Sequence, residues 1–144
     1  MIEYVAGFCF TENKKHVLLI EKNKPDWQKG KYNAVGGKIE MCESPIVAMH
    51  REFWEETGLS GVNWELFCEL YSHKSSPTWK VSFFRGATNR IWLATGLDPE
   101  PVAVFGVHCL PENKLNNISS LVALALSNCY QTPFTLIDKF EGKR

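Results

Sequence analysis

Apolar positions in this chain come in short clusters separated by polar and glycine-rich breaks. Tyr4 to Phe10 (YVAGFCF) is a continuous apolar and aromatic run, which predicts a buried strand. His16 to Glu21 (HVLLIE) follows a polar turn and predicts its hairpin partner. Lys22 to Tyr32 (KNKPDWQKGKY) is a loop punctuated by Pro25 and Gly30. Asn33 to Ile39 is a short strand broken by Gly36 and Gly37. Ser44, Pro45 and Gly58 then bracket a helix as N-cap, first-turn proline and left-handed stop. Trp64–Ser72, Trp79–Arg85, Arg90–Thr95 and Val102–Val107 predict further strands. Gly96–Pro101 is a loop holding Asp98 and Glu100. From Ile118 to about Cys129 the apolar positions Ile118, Leu121, Val122, Ala125 and Leu126 follow helical spacing. The tail from Glu141 to Arg144 reads as frayed.

Strands and helices interleave without a regular βαβ repeat. That places the chain in the α/β class, as a mixed α+β sheet with helices on its faces. Length adds one expectation: 144 residues read as a single domain spanning 1–144. Hydrophobic residues at 44% suffice for a core. Charge is balanced, 16 basic against 16 acidic residues, so there is no electrostatic footprint for long nucleic acid. A small phosphorylated ligand needs only a few local cations. The five cysteines (Cys9, Cys42, Cys68, Cys109, Cys129) show no paired metal spacing and read as free buried thiols. Met1 to Tyr4 carries no secretory leader pattern, and no apolar run is long enough to span a bilayer. The expectation is a cytoplasmic protein with no membrane partner, monomer or homodimer.

The stretch Gly37 to Leu59, GKIEMCESPIVAMHREFWEETGL, carries the chemistry. At 100° per residue from Ser44, Glu55 falls at about 20°, Glu52 at about 80° and Glu56 at about 120°. The three carboxylates share one face, while Ile46, Met49 and Phe53 form an adjacent apolar stripe that docks the helix. Carboxylates this close raise one another's pKa, and a hard divalent cation relieves the conflict. A solvated acidic face would show the same three acids. Gly36, Gly37, Glu43 and Arg51 at fixed offsets set this one apart. Arg51 suits a carboxylate fork and is expected to orient an acid.

Written as G-x5-E-x7-R-E-Φ-x-E-E-x-G-Φ, with Φ apolar, Gly37, Glu43, Arg51, Glu52, Glu55, Glu56 and Gly58 resemble the Nudix hydrolase signature. Phe53 departs from the aliphatic residue usual after Arg-Glu but stays apolar. The resemblance implies a Nudix α/β/α sandwich with the box as loop–helix–loop. It implies metal ligation by Glu52, Glu55, Glu56 and the Gly36 carbonyl, with Mg²⁺ as cofactor and Mn²⁺ as a substitute. Glu43 and Arg51 match the supporting pair. A metal-activated water attacks a diphosphate linkage in this family, with a glutamate as base. The acid that many members carry outside the box has Glu100 as its candidate here, with Asp98 second.

The segment Trp27-x2-Gly30-Lys31-Tyr32-Asn33-x2-Gly36-Gly37-Lys38 resembles the nucleoside-triphosphate-cleaving branch, including enzymes of the 8-oxo-dGTP type. Asn33 matches a base-contacting asparagine there, offering both a donor and an acceptor; bonding to its own backbone is the alternative. Asn116 and Asn117 read first as caps of the last helix, with a contribution to the same pocket as the alternative for both. Lys38, with Lys24 or Lys31, could meet phosphate. Trp27 could stack on a base or anchor its loop. The expected activity is hydrolysis of a nucleoside triphosphate, oxidised forms included, to monophosphate and pyrophosphate. ADP-ribose or another nucleoside diphosphate derivative is the alternative substrate, and a nucleotide-sensing module without catalysis the alternative role.

Overall fold

The computed structural model describes residues 1–97, 99–127 and 133–138. Asp98, Cys129 and the tail from Glu141 lie outside the described residues.

Strand β1 (Ile2–Phe10) sits centrally and has both faces covered. Val5 and Cys9 join one apolar cluster, while Ala6, Phe8 and Phe10 join another on the opposite face. Strand β2 (His16–Glu21) divides the same way, with Leu18 and Ile20 against Val17 and Leu19. Two-sided burial explains why these strands read as unbroken apolar runs. Helix α1 (Pro45–Thr57) seals the first face through Ala48, Met49 and Phe53. Helix α2 (Ile118–Leu126) seals the second through Ile118, Leu121, Val122 and Ala125. The expected layering of helix, mixed sheet and helix is what forms.

The sheet is built around a fork. β1 and β2 pair antiparallel only at Cys9↔Leu18 and Phe10↔Val17. Further on, they diverge, and the segment after the lysine-rich loop enters the gap. Its first part, β3 (Tyr32–Asn33), pairs with β2, and its second, β4 (Val35–Lys38), pairs with β1. Ala34 is the crossing point. On the other edge of β1, β6 (Trp79–Ala87) runs parallel through Ile2↔Trp79 to Phe10↔Ala87. β5 (Glu65–Ser72) pairs antiparallel with β6, and β7 (Val102–Gly106) with the free edge of β2.

Four expectations need correction. Arg90–Thr95 is not a strand; Asn89–Leu93 is a 3₁₀ helix. Thr88 causes this by accepting the Arg90 N–H on its Oγ1 at 3.2 Å, which closes a turn. Only Ile91 is buried there, and Trp92 and Leu93 point to solvent. The last helix ends at Leu126 with Ser127 extended, short of Cys129. A strand absent from the sequence reading, β8 (Phe134–Asp138), lies parallel to β5 at the sheet edge. The thiols are not uniformly buried: Cys9 and Cys68 are, while Cys42 and Cys109 are exposed. Among the described residues no helix is long and apolar enough to cross a membrane.

Candidate active site

Helix α1 begins where Ser44 accepts the Val47 N–H at 3.4 Å and Pro45 supplies a first residue with no N–H to satisfy. It stops at Gly58, whose φ of 75° is a left-handed conformation that suits glycine. Between those ends the helix is rotated further than the apolar stripe suggested. Ile46 is 38% exposed and Ala48 takes its place in the core beside Met49 and Phe53. The sheet-facing surface is therefore centred close to Glu52 and Glu56, and both carboxylates are carried inward. Glu55 stays at the rim, with its side chain 47% exposed.

Arg51 ties the acids together. Its Nε and Nη2 donate to the two Glu43 oxygens at 2.7 and 2.9 Å, a two-pronged pairing. Nη1 donates to Glu52 at 2.8 Å and to Glu55 at 3.2 Å, and Nη2 also reaches the Lys38 carbonyl at 3.1 Å. One guanidinium thus spans the loop, the helix and the end of β4. The Arg51 hydrogen bonds, helped by the Glu40 N–H, hold the Glu43 carboxyl down at about 2. Arg51 is raised in turn, first by its bond to Glu43. Burial raises Glu52 above the usual carboxylate range, against the pull of Arg51.

Glu52 lies directly on the backbone of Gly37. A Cβ at Gly37 would stand 2.4 Å from Glu52 Oε1, so the second glycine of the pair leaves room for the carboxylate. Glu56 is the least satisfied of the acids. Its Oε2 is buried with no hydrogen-bond partner among the described residues. Burial pushes its carboxyl up to about 7; Glu52 and Glu100 add to the rise, and Lys22 and the Gly36 N–H oppose it. Gly36 thus meets the acids through its N–H.

Glu100 converges on the same place from the loop before β7. It accepts the Asn23 N–H at 2.8 Å and pairs with Lys22 Nζ at 3.3 Å. Burial works against its charge, but those partners outweigh burial and leave it below the ordinary range. Glu100, which favours its charged form, therefore acts on a Glu56 that is easily protonated, and Lys22 acts on both. Lys22 was not singled out in the sequence. The signal available was its place in a loop of four lysines, which gave no reason to prefer it.

Among the described residues no three His, Cys, Asp or Glu side chains already stand close enough to hold a metal ion. The donor set still suits a hard cation. It consists of carboxylate oxygens, one of them buried without a partner, and two of these acids resist ionisation unless positive charge arrives.

A cleft of about 430 Å³ opens beside this cluster at the sheet fork. Gly36 and Gly37 line it, as do Trp27, Asn33 and Asn117, together with Lys22 and Lys24. Lys38 and Lys31 are exposed and lie outside the lining, so Lys38 contributes its carbonyl to Arg51 and not its ammonium to the cleft. The cap reading of Asn117 fails. It occupies the N-cap position with helical backbone angles, and its side chain makes no cap hydrogen bond. Asn33 uses its Oδ1 to accept the Ala34 N–H at 2.7 Å, so the oxygen expected to read a base is already engaged.

The family profile described as the NUDIX domain matches residues 1–118. Solved structures show the same fold at low identity. A MutT protein from Bacillus halodurans aligns with a TM-score of 0.69 and 21% identity, over 89% of this chain and 84% of that one. A MutT NUDIX hydrolase from Burkholderia pseudomallei aligns at 0.67 and 18%, over 87% and 98%. A MutT protein from Methanosarcina mazei Go1 aligns at 0.65 and 19%, over 86% and 91%. The profile match runs from β1, through the glycine pair and the acidic helix, to the head of α2, and on that extent the chain belongs to the NUDIX family as a Nudix hydrolase.

Proposed function

We propose that this Nudix hydrolase cleaves a nucleoside triphosphate, oxidised forms included, to the monophosphate and pyrophosphate, with Mg²⁺ or Mn²⁺ as cofactor. The observation that carries this reading is the continuity of the cleft. Its lining includes Trp27, Asn33 and Asn117 together with Gly36 and Gly37, and those glycines abut Glu56 and Glu52. A base against the first three leaves its phosphates beside the acids.

Glu52, Glu55, Glu56 and Glu100, with the Gly36 carbonyl, would hold the cation. When bound, it supplies an activated water and offsets charge on the phosphate oxygens. Glu56 or Glu100 accepts the proton of that water. Arg51 fixes the orientation of Glu52 and Glu55 through the hydrogen bonds above. Lys22 and Lys24 line the cleft where anionic oxygens would lie, and Lys22 reaches Glu100 at the same time. Trp27, 39% exposed in the cleft lining, offers its ring to a base.

Purified protein should be assayed with a panel of ordinary and oxidised triphosphates and with ADP-ribose, with and without Mg²⁺, reading products by chromatography. The expected result is Mg²⁺-dependent release of monophosphate and pyrophosphate. Rapid ADP-ribose cleavage with no triphosphate turnover would reassign the substrate. Tight nucleotide binding with no product at all would mark a sensing module.

A further inference from the structure

Three amides at the base end of the cleft form a chain whose direction is fixed by the fold. Ala34 is buried at 4% exposure where the segment crosses from β2 to β1. Its N–H must find an acceptor, and Asn33 Oδ1 provides one at 2.7 Å. A backbone N–H only donates, so the oxygen of Asn33 must face it. Asn33 Nδ2 is then turned the other way, where it donates to Gln28 Oε1 at 3.2 Å. That bond sets the Gln28 amide in turn, with its oxygen toward Asn33 and its Nε2 pointing onward. Ordinarily the two ends of such amides are interchangeable. Here one backbone donor removes that freedom from both. Gln28, Asn33 and Ala34 all line the cleft, and Gln28 Nε2 has no partner among the described residues.

We infer that Gln28 is a specificity-determining residue, presenting an N–H donor that selects bases with a carbonyl oxygen at the edge it reads over bases with an amino group there. Asn33 is the positioning residue that aims it. The inference rests on the triphosphate reading for the identity of the ligand and goes beyond it by naming the class of base. Guanine, hypoxanthine, uracil and thymine offer oxygen where adenine and cytosine offer an amino group, and two donors facing each other leave both unsatisfied. One neutral hydrogen bond gained, against one mismatch, is worth about tenfold in kcat/KM.

ITP against ATP and UTP against CTP are the matched pairs, since each differs chiefly in keto against amino. Wild-type enzyme should favour the keto member of both pairs by about tenfold. In Gln28→Glu an oxygen still meets Asn33 Nδ2 while the outer donor becomes an acceptor, so the preference should vanish or invert. Any general loss from the added charge cancels in the ratio. Gln28→Met, neutral and without a donor, should bring the ratio close to one. Asn33→Asp keeps an acceptor for Ala34 and frees the Gln28 amide to turn, and should erode the ratio as well. Equal rates for both members in the wild type, or ratios unchanged in Gln28→Glu and Gln28→Met, would overturn the assignment. Calorimetric binding of IMP against AMP needs no turnover. An IMP preference that Gln28→Glu abolishes, in an enzyme cleaving no triphosphate, would sink the triphosphate reading and sustain this one. Equal binding of IMP and AMP would sink this one whatever the enzyme cleaves.

Discussion

Glu56→Gln should stabilise the metal-free protein at alkaline pH. In the folded chain burial lifts the Glu56 carboxyl from 4.5 to about 7. Folding therefore favours the protonated form, and a raised carboxyl destabilises the fold wherever it must ionise. Below pH 4.5 the group is protonated in both states and costs nothing. Between 4.5 and about 7 the unfolded chain releases its proton first, so stability falls as pH rises, and above 7 the loss is complete. At 1.36 kcal/mol per unit the full effect is roughly 3 kcal/mol, less what solvent recovers, leaving about 2. In a chain this size that is a shift of roughly 5–8 °C in Tm. The assay is thermal unfolding of both proteins in EDTA from pH 4.5 to 8. The two curves should separate steadily across that window, with the variant higher at pH 8. Saturating Mg²⁺ should then raise the wild type more than the variant, because the variant has one buried carboxylate fewer to neutralise. A difference in Tm that stays constant from pH 4.5 to 8 would refute the argument, since it would mean Glu56 ionises as easily folded as unfolded.

Other consequences are more local. Gly37→Ala should cost two or more orders of magnitude in kcat, because its Cβ would displace the Glu52 carboxylate, while Tm falls only slightly; near wild-type kcat would refute that placement. Glu43→Gln should flatten the acid limb of the stability profile. Glu43 is held at about 2, so its contribution is present above 4.5 and lost as pH falls toward 2; an unchanged limb by acid titration would count against the Arg51 pairing. Cys42 holds a φ of 64° in the loop before Glu43, so Cys42→Gly should stabilise by about 0.5–1 kcal/mol with kcat unaltered, read by urea unfolding.

The box was legible because its geometry is local. A cap, a first-turn proline and a left-handed glycine define α1 within the span they occupy, and the helical period puts three acids on one side. How that helix would be turned against the sheet was not local. Ile46 and Ala48 exchange roles because docking on β1 and β4 sets the rotation, and no stripe drawn on an isolated helix contains the sheet. The same rotation decides that Glu52 and Glu56 are buried while Glu55 is not, which is the property that shifts their protonation. Arg90–Thr95 misread as a strand because its composition suits one, while a single threonine hydroxyl upstream closes a turn first. The cleft lay furthest from view. Gln28, Trp79 and Asn117 meet only after β1, β6 and the segment before α2 are assembled, and nothing in their spacing announces it.

Recognition and chemistry are joined in this fold by one short stretch of backbone. Where β1 and β2 part, Tyr32–Lys38 must change partners, and the change falls at Ala34. The buried N–H left over there is what captures Asn33 and, through it, Gln28. Three residues further on, the same segment, now as β4, presents Gly37 to Glu52. Asn33 and Gly37 are four residues apart in extended chain, roughly 13 Å, and each is pinned by its own strand pairing, so Gln28's donor and the acids are held at a set spacing. Strand side chains alternate, so inserting one residue after Ala34 would turn the glycine pair to the opposite face and separate the two, even with every acid in α1 intact. The spacing between Asn33 and the glycine pair is therefore as much a part of the candidate site as the acids are.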